Sequence, residues 1–201
     1  MELEGDVLVN GQRLRVDESI QSGDVLQTGS RSRVVFVIGD SSFLMRQNSQ
    51  LAVERGVTLY TVSALRLITG AVAAVWGRGK PRQIITPTLT AGIRGTGIYT
   101  EVFPDQEGGR SYFCNCYGTV DMAAGPQRVT SVSEYHQSFF GEREPRNGKW
   151  LTPAPAINHA DEELEFLARL VGQRTTWQIA GRRGNHDGSG RMSTPYAPEQ
   201  R

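Results

Sequence analysis

Short runs of alternating apolar and polar residues, punctuated by glycine, occupy the first two thirds of the chain. Gly5-Asp6-Val7-Leu8-Val9 passes through Asn10-Gly11 into Gln12-Arg13-Leu14-Arg15-Val16. Asn-Gly between two such runs signals a hairpin, because the tight turn needs positive φ at both central residues. Gly23-Asp24-Val25-Leu26 echoes the opening run. Further strands are predicted at 34–38, 43–46, 51–54, 65–69, 71–76 and 84–86, then at 97–103, 112–122 and 127–132. Pro87 cannot donate to a ladder and marks a strand end. Segments 77–81 and 104–110 read as exposed loops. The pattern predicts an all-β fold, a β-helix-like or sandwich-like roll of many short strands.

The character changes after Tyr135. Segment 136–157 holds Pro145, Pro153 and Pro155 with little periodicity, and reads as an irregular strap over the core. Asn158 is the expected N-cap of a helix, with Asp161, Glu162 and Glu163 in a first turn where the helix dipole favours negative charge. Leu164, Leu167, Ala168 and Val171 form one apolar stripe and Gly172 is a natural stop. This gives one C-terminal amphipathic α-helix. From Gly181 the composition turns to Gly, Arg, Ser and Pro, which predicts a disordered tail in which His186 has no fixed role. The expected organisation is a β domain over 1–132, strap plus helix over 133–180, and tail over 181–201.

Composition narrows the functional classes. The chain has 201 residues with 22 basic and 21 acidic side chains, a net charge of +1. Such a balance carries no electrostatic footprint for nucleic acid. The longest apolar run, 71–76, is far short of the roughly 20 residues of a membrane span. Met1-Glu2-Leu3-Glu4-Gly5 lacks the basic and apolar regions of a signal peptide. Either the protein is cytosolic or its targeting segment is missing from the chain as given; since these residues already read as folded domain, a missing leader is the favoured expectation. The 23 glycines are spread between strands, which implies many tight turns.

An ordered set of motifs then points to a family. Gly5-Asp6-Val7-Leu8-Val9-Asn10-Gly11 is followed by Ile20-Gln21-Ser22-Gly23-Asp24-Val25-Leu26-Gln27-Thr28-Gly29, by Val34 to Gly39, and by Asn48-Ser49. Leu65-Arg66-Leu67-Ile68-Thr69-Gly70, Ile85-Thr86-Pro87 and Gly92-Ile93-Arg94-Gly95-Thr96 complete it. Over 5–130 the chain resembles the FecR domain. The resemblance implies a β-rich, non-enzymatic signalling module outside the cytoplasmic membrane, periplasmic in its best-known members. Those are regulators of iron uptake that relay receptor occupancy to a sigma factor. The chain as given shows no sigma-binding segment, no membrane helix and no small α/β domain after the FecR region. What carries over is a binding or signalling module of the bacterial envelope. It would meet a protein partner or ligand through strand edges and the loops 77–82 and 104–110; neither partner nor oligomeric state follows from the resemblance.

Two places hold sharper chemistry. Arg94, between Gly92 and Gly95 and followed by Gly95 and Thr96, could clamp a carboxylate or phosphate of a ligand; alternatively it is a buried, paired arginine that holds strands together. Cys114 and Cys116 stand at i and i+2, so on a strand both thiols face one side. They are two small core residues beside Tyr112, Phe113 and Tyr117, or a strained mutual disulfide, or thiolate ligands of a metal. A bulge near Asn115, eased by Gly118, would bring the sulfurs to ligand spacing. His136 and His159 are the candidates to complete a Cys₂His₂ set, although His159 could instead help cap the helix. The family brings no cofactor, so a transition-metal ion is the one that these residues would hold. A metal-binding or redox-sensing domain is therefore the second functional reading. Asp161, Glu162, Glu163 and Glu165 read as dipole complement and solvated face, and no Gly-x-Ser-x-Gly elbow or nucleophile–base pair argues for an enzyme.

Overall fold

The structure is a computed structural model describing residues 1–77, 79 and 81–188. Among these, the strands of the first half are β1 (Glu2–Glu4), β2 (Val7–Val9), β3 (Gln12–Arg13), β4 (Val25–Thr28), β5 (Arg33–Ile38), β6 (Ser41–Met45) and β7 (Gln50–Arg55). The later ones are β8 (Val62–Val75), β9 (Arg82–Ile85), β10 (Thr90–Val102), β11 (Ser111–Ala124), β12 (Gln127–Ser133), β13 (Gln137–Arg146) and β14 (Lys149–Ala154). Two helices follow, α1 (Asp161–Leu170) and α2 (Thr176–Ile179). The all-β expectation holds: strands dominate and join in one large, mostly antiparallel sheet.

Strands β8 and β10 are the hubs. The first half of β8 pairs with β7 and, in parallel, with β9, while its second half pairs with β6 and β10. The two runs predicted at 65–69 and 71–76 are thus one strand, bent at Gly70 (φ 76°) where Ser49 packs against its backbone. Bending lets the two halves join different neighbours within one large sheet, which curls as a roll without closing.

Alternation along the strands sorts side chains between two cores, as a period of two requires. Phe36, Phe43, Met45, Val72, Ala74, Ile98 and Phe113 fill the interior of the roll. Their chain neighbours Val35, Leu44, Ala73, Val75, Tyr99, Tyr112 and Cys114 face the other way. Leu164, Leu167 and Ala168 of α1 and Trp177 of α2 cover this second face. Ser42 Oγ donates to the Leu167 carbonyl (2.7 Å), and Arg46 reaches both oxygens of Glu163 (2.7 and 2.8 Å).

Three expectations for the C-terminal third are corrected. Segment 136–157 is not an irregular strap but the hairpin β13–β14, turning at Asn147 (φ 51°) and Gly148 (φ 74°). Its prolines obscured an Asn-Gly signal identical to that at Asn10-Gly11. They are tolerated because Pro145 sits in the unpaired stretch between Gly141 and Arg146, and Pro153 lies on the terminal strand of the sheet. The N-cap of α1 is Ala160, not Asn158; Asn158 adopts φ 59° and its side chain donates to Glu101 (2.9 Å). Finally, 181–188 is ordered: Ala160 bridges to Asp187, and His186 is 1% exposed. The remainder of the predicted tail, 189–201, lies outside the described residues.

A candidate metal centre behind the sheet

Cys114 and Cys116 come from the middle of β11, and the local backbone explains their placement. Ile98 pairs with Asn115 but Gly97 pairs with Tyr117, so Cys116 is the extra residue of a bulge. An opposing irregularity on β10, between Arg94 and Gly97, restores the register. Gly97 is required here: the ring of Tyr117 occupies the space a Cβ would fill. The bulge turns Cys116 and Tyr117 toward the same side as Cys114, and the two sulfurs lie 3.6 Å apart. Both are free thiols, fully buried.

His136 enters from the turn between β12 and β13, where its backbone takes φ 37° and its N–H donates to the Cys116 carbonyl (3.0 Å). His159 enters from the segment before α1. That segment is fastened by the Tyr112 hydroxyl, which donates to Pro155 O (3.0 Å) and accepts from Ile157 N (3.1 Å). Cys114 Sγ is 3.3 Å from His136 Nδ1, Cys116 Sγ is 3.5 Å from His159 Nε2, and the two nitrogens are 3.1 Å apart. All four donor atoms lie within 4.8 Å of one another. The geometry places each of the predicted cysteine and histidine candidates in one cluster.

These spacings can be compared with a tetrahedron. Zinc bonds of roughly 2.3 Å to sulfur and 2.0–2.1 Å to nitrogen imply edges of about 3.7 Å (S–S), 3.5 Å (S–N) and 3.4 Å (N–N). Four of the six donor–donor distances, 3.6, 3.3, 3.5 and 3.1 Å, fall within a few tenths of an ångström of them, and all pairs lie within 4.8 Å. The donor set is also electrically matched. Two thiolates and two neutral imidazoles cancel a divalent charge, which lowers the cost of burying it. A set of two thiolates and two imidazoles is of the kind that suits zinc.

The outer nitrogens fix the tautomers. His136 Nε2 faces Asp161 Oδ1 at 2.7 Å, and His159 Nδ1 faces the Ile157 carbonyl at 2.6 Å. Both partners are acceptors, so each outer nitrogen carries a proton and each inner one can present a lone pair. Asp161 is held in turn by the Tyr135 hydroxyl (2.7 Å) and the His186 N–H (3.0 Å). Aromatic rings clamp both imidazoles: Tyr99 stacks on His159 (4.7 Å, 14°) and Trp177 on His136 (5.7 Å, 28°).

Burial alone would raise the Cys114 thiol, yet Cys116, His136 and His159 hold it well below the usual thiol range. Burial and the adjacent Cys114 push Cys116 well above that range. Burial would lower His136, but Cys114 and Asp161 outweigh it and push it up to about 9. With no metal bound, then, the cluster favours a Cys114 thiolate beside a His136 imidazolium. A divalent ion would displace that proton.

Sequence reasoning missed Asp161, Trp177 and His186. Asp161 looked like one of several helix-start acids, and only its burial (0% exposed) separates it from Glu162. Arg94 stands apart from the cluster. Its side chain is 73% exposed and donates to Asp121 on the neighbouring strand (2.9 Å), so it is paired but not buried. Gly95 and Thr96 form the β10 irregularity, with Thr96 buried.

Comparison with known proteins covers the roll rather than the metal cluster. Residues 24–113 match the family described as FecR protein, so the match ends one residue before Cys114. No curated protein matches the chain. Two crystal structures of a candidate anti-sigma factor from Parabacteroides distasonis ATCC 8503 share the fold, with TM-scores of 0.51 and 0.50 at 11% identity. Each alignment covers 64% of this chain and 58% of the other, so the likeness concerns the fold alone over little more than half of those proteins. Over residues 24–113, somewhat under half of its length, the chain is similar to the FecR family.

Proposed function

We propose that this protein is a non-enzymatic FecR-type signalling module of the bacterial envelope whose C-terminal extension is fastened to the roll by a metal ion. The ligands are Cys114, Cys116, His136 and His159, and zinc is the ion that their geometry suits. The observation that carries the reading is the convergence of four donor atoms within 4.8 Å of one another, with both imidazole tautomers fixed by outer partners. Similarity to the FecR family over residues 24–113 supports the signalling role. Partner recognition is proposed for the exposed loops and for Arg94 with its neighbours Gly95 and Thr96, away from the metal centre.

A centre of this kind binds and holds. Its ligands come from β11, the β12–β13 turn and the approach to α1, so one ion ties three separate stretches of chain together. Asp161 orients His136, the Ile157 carbonyl orients His159, and the two stacked aromatic rings exclude water from the donors.

The test is elemental analysis of the purified, tag-free protein with thiol titration on the same sample. One equivalent of zinc, with thiols unreactive until a chelator is added, is the expected result. Absence of metal after reconstitution with zinc under reducing conditions, with two freely titrating thiols, would refute the metal centre and leave a FecR-type binding module.

A further inference from the structure

Residues 181–188 return to the back of the metal centre, and several of their anchors lie close to its ligands. Asp161 N donates to the His186 carbonyl (2.9 Å), and His186 N donates to Asp161 Oδ2 (3.0 Å). Ala160, next to His159, bridges to Asp187, and the Asn185 N–H donates to the Tyr135 hydroxyl (3.3 Å). The backbone at Gly184 lies directly on the Asp161 side chain.

His186 is the unusual member. Its ring centroid lies 5.0 Å from that of His136 and 4.9 Å from that of His159, and the residue is 1% exposed. Neither ring nitrogen has a hydrogen-bond partner among the described residues. A buried polar group left unpaired costs more than a typical intramolecular hydrogen bond contributes. Ordering the segment costs more again. The hydrogen bonds that close this segment are therefore opposed by the unpaired His186 ring and by the cost of ordering the chain. An apolar residue in place of His186 would remove one of the opposing terms.

We infer that 181–188 is a latch that is shut when the metal centre is filled and open when it is empty. The inference rests on the metal-centre reading above. An ion holds His136 and His159 in the orientation that seats the His186 ring and, through His136, holds Asp161 where the backbone of the latch grips it. Without the ion the two rings lose their common anchor, and the seat is no longer fixed. Opening returns the His186 nitrogens to water and uncovers His136 and Asp161. The latch would thus convert availability of a thiophilic divalent ion such as zinc into exposure of a surface.

The experiment is hydrogen–deuterium exchange of the full chain, with one equivalent of Zn²⁺ and with excess chelator, with zinc content measured on the same samples. The expected result is that peptides over 181–188 exchange at least about tenfold faster in chelator while β4, β7 and β8 stay protected. The His186→Leu variant should keep the segment protected even in chelator. Stoichiometric zinc with equal exchange in both conditions would overturn the latch and leave the metal centre standing. So would exchange that accelerates across the whole sheet together, or a His186→Leu variant that opens like wild type. A protein that binds no zinc overturns the metal centre first, and the latch with it.

Discussion

His136 Nδ1 lies 3.1 Å from His159 Nε2, while the outer nitrogen of each ring is committed to an acceptor. Two neutral rings held this way would aim lone pairs at each other inside a buried site, so a cation or a proton belongs between them. The flanking sulfurs, at 3.3 and 3.5 Å, supply the charge that makes a divalent ion the better occupant.

Replacing either thiol should abolish the response to metal. With free zinc at a thousandfold over Kd, a site present only in the folded protein adds about 4 kcal/mol to stability. Thermal melts of the wild type should shift upward with zinc, whereas Cys114→Ser and Cys116→Ser should melt alike with and without it. If the thiols are only packed core, the wild type will show no shift either.

Asp161→Asn tests the outer partner of His136. Loss of such a carboxylate typically weakens metal affinity about tenfold to a hundredfold. Competition against a chromophoric chelator should read that loss, with stoichiometry still one ion per chain. Unchanged affinity would show that Asp161 serves only the fold.

Gly97→Ala connects the FecR motif to the centre. The added methyl would strike the Tyr117 ring, which packs edge-on against Trp177 (5.6 Å, 86°), and Trp177 stacks on His136. Overpacking of this kind costs about 1–3 kcal/mol. The variant should have a lower denaturation midpoint and weaker zinc binding; a change in neither would break the proposed chain of contacts.

Asp40→Asn addresses the ion pair that covers the roll's interior. Arg82 is 2% exposed, donates to Asp40 (2.6 Å) and lies over the Trp76 ring (5.4 Å). Burial pushes the Asp40 carboxyl upward, but Arg82 and Ser41 outweigh it and hold it below its ordinary value. A carboxyl depressed on folding stabilises above its unfolded pKa of about 3.9, and that stabilisation is lost as pH falls through the folded value. The substitution should therefore cost on the order of 1 kcal/mol near neutral pH, because the half-exposed Asp40 is screened by solvent and Arg82 keeps its bond to the Val62 carbonyl (3.3 Å). Urea midpoints of the two proteins should converge below about pH 4. A gap that stays constant down to pH 2 would contradict this account.

Much of the roll was legible because strand-forming runs and turn residues are local signals. The hairpin at Asn147-Gly148 was equally local and was hidden only by neighbouring prolines that sit where no ladder donor is needed. The glycines and arginines after Gly181 look like disorder by composition, yet Gly184 is small because the backbone there rests on Asp161. Arg94 could be read as buried or as a ligand clamp from its glycine neighbours, and its exposure depends on which face of β10 meets solvent.

The period of two along a strand determined, from the sequence by itself, that Cys114 and Cys116 share a face. The surrounding residues also indicated that a bulge could close the gap between their sulfurs. The histidines are different. His136 lies twenty residues after Cys116, and His159 a further twenty-three, a spacing that no compact metal motif has. Only the tertiary structure decided that they meet, because antiparallel β12 returns the chain beside β11 and the Tyr112 hydroxyl pins the approach to α1. Such contacts depend on how whole strands pack, and no local pattern encodes that distance.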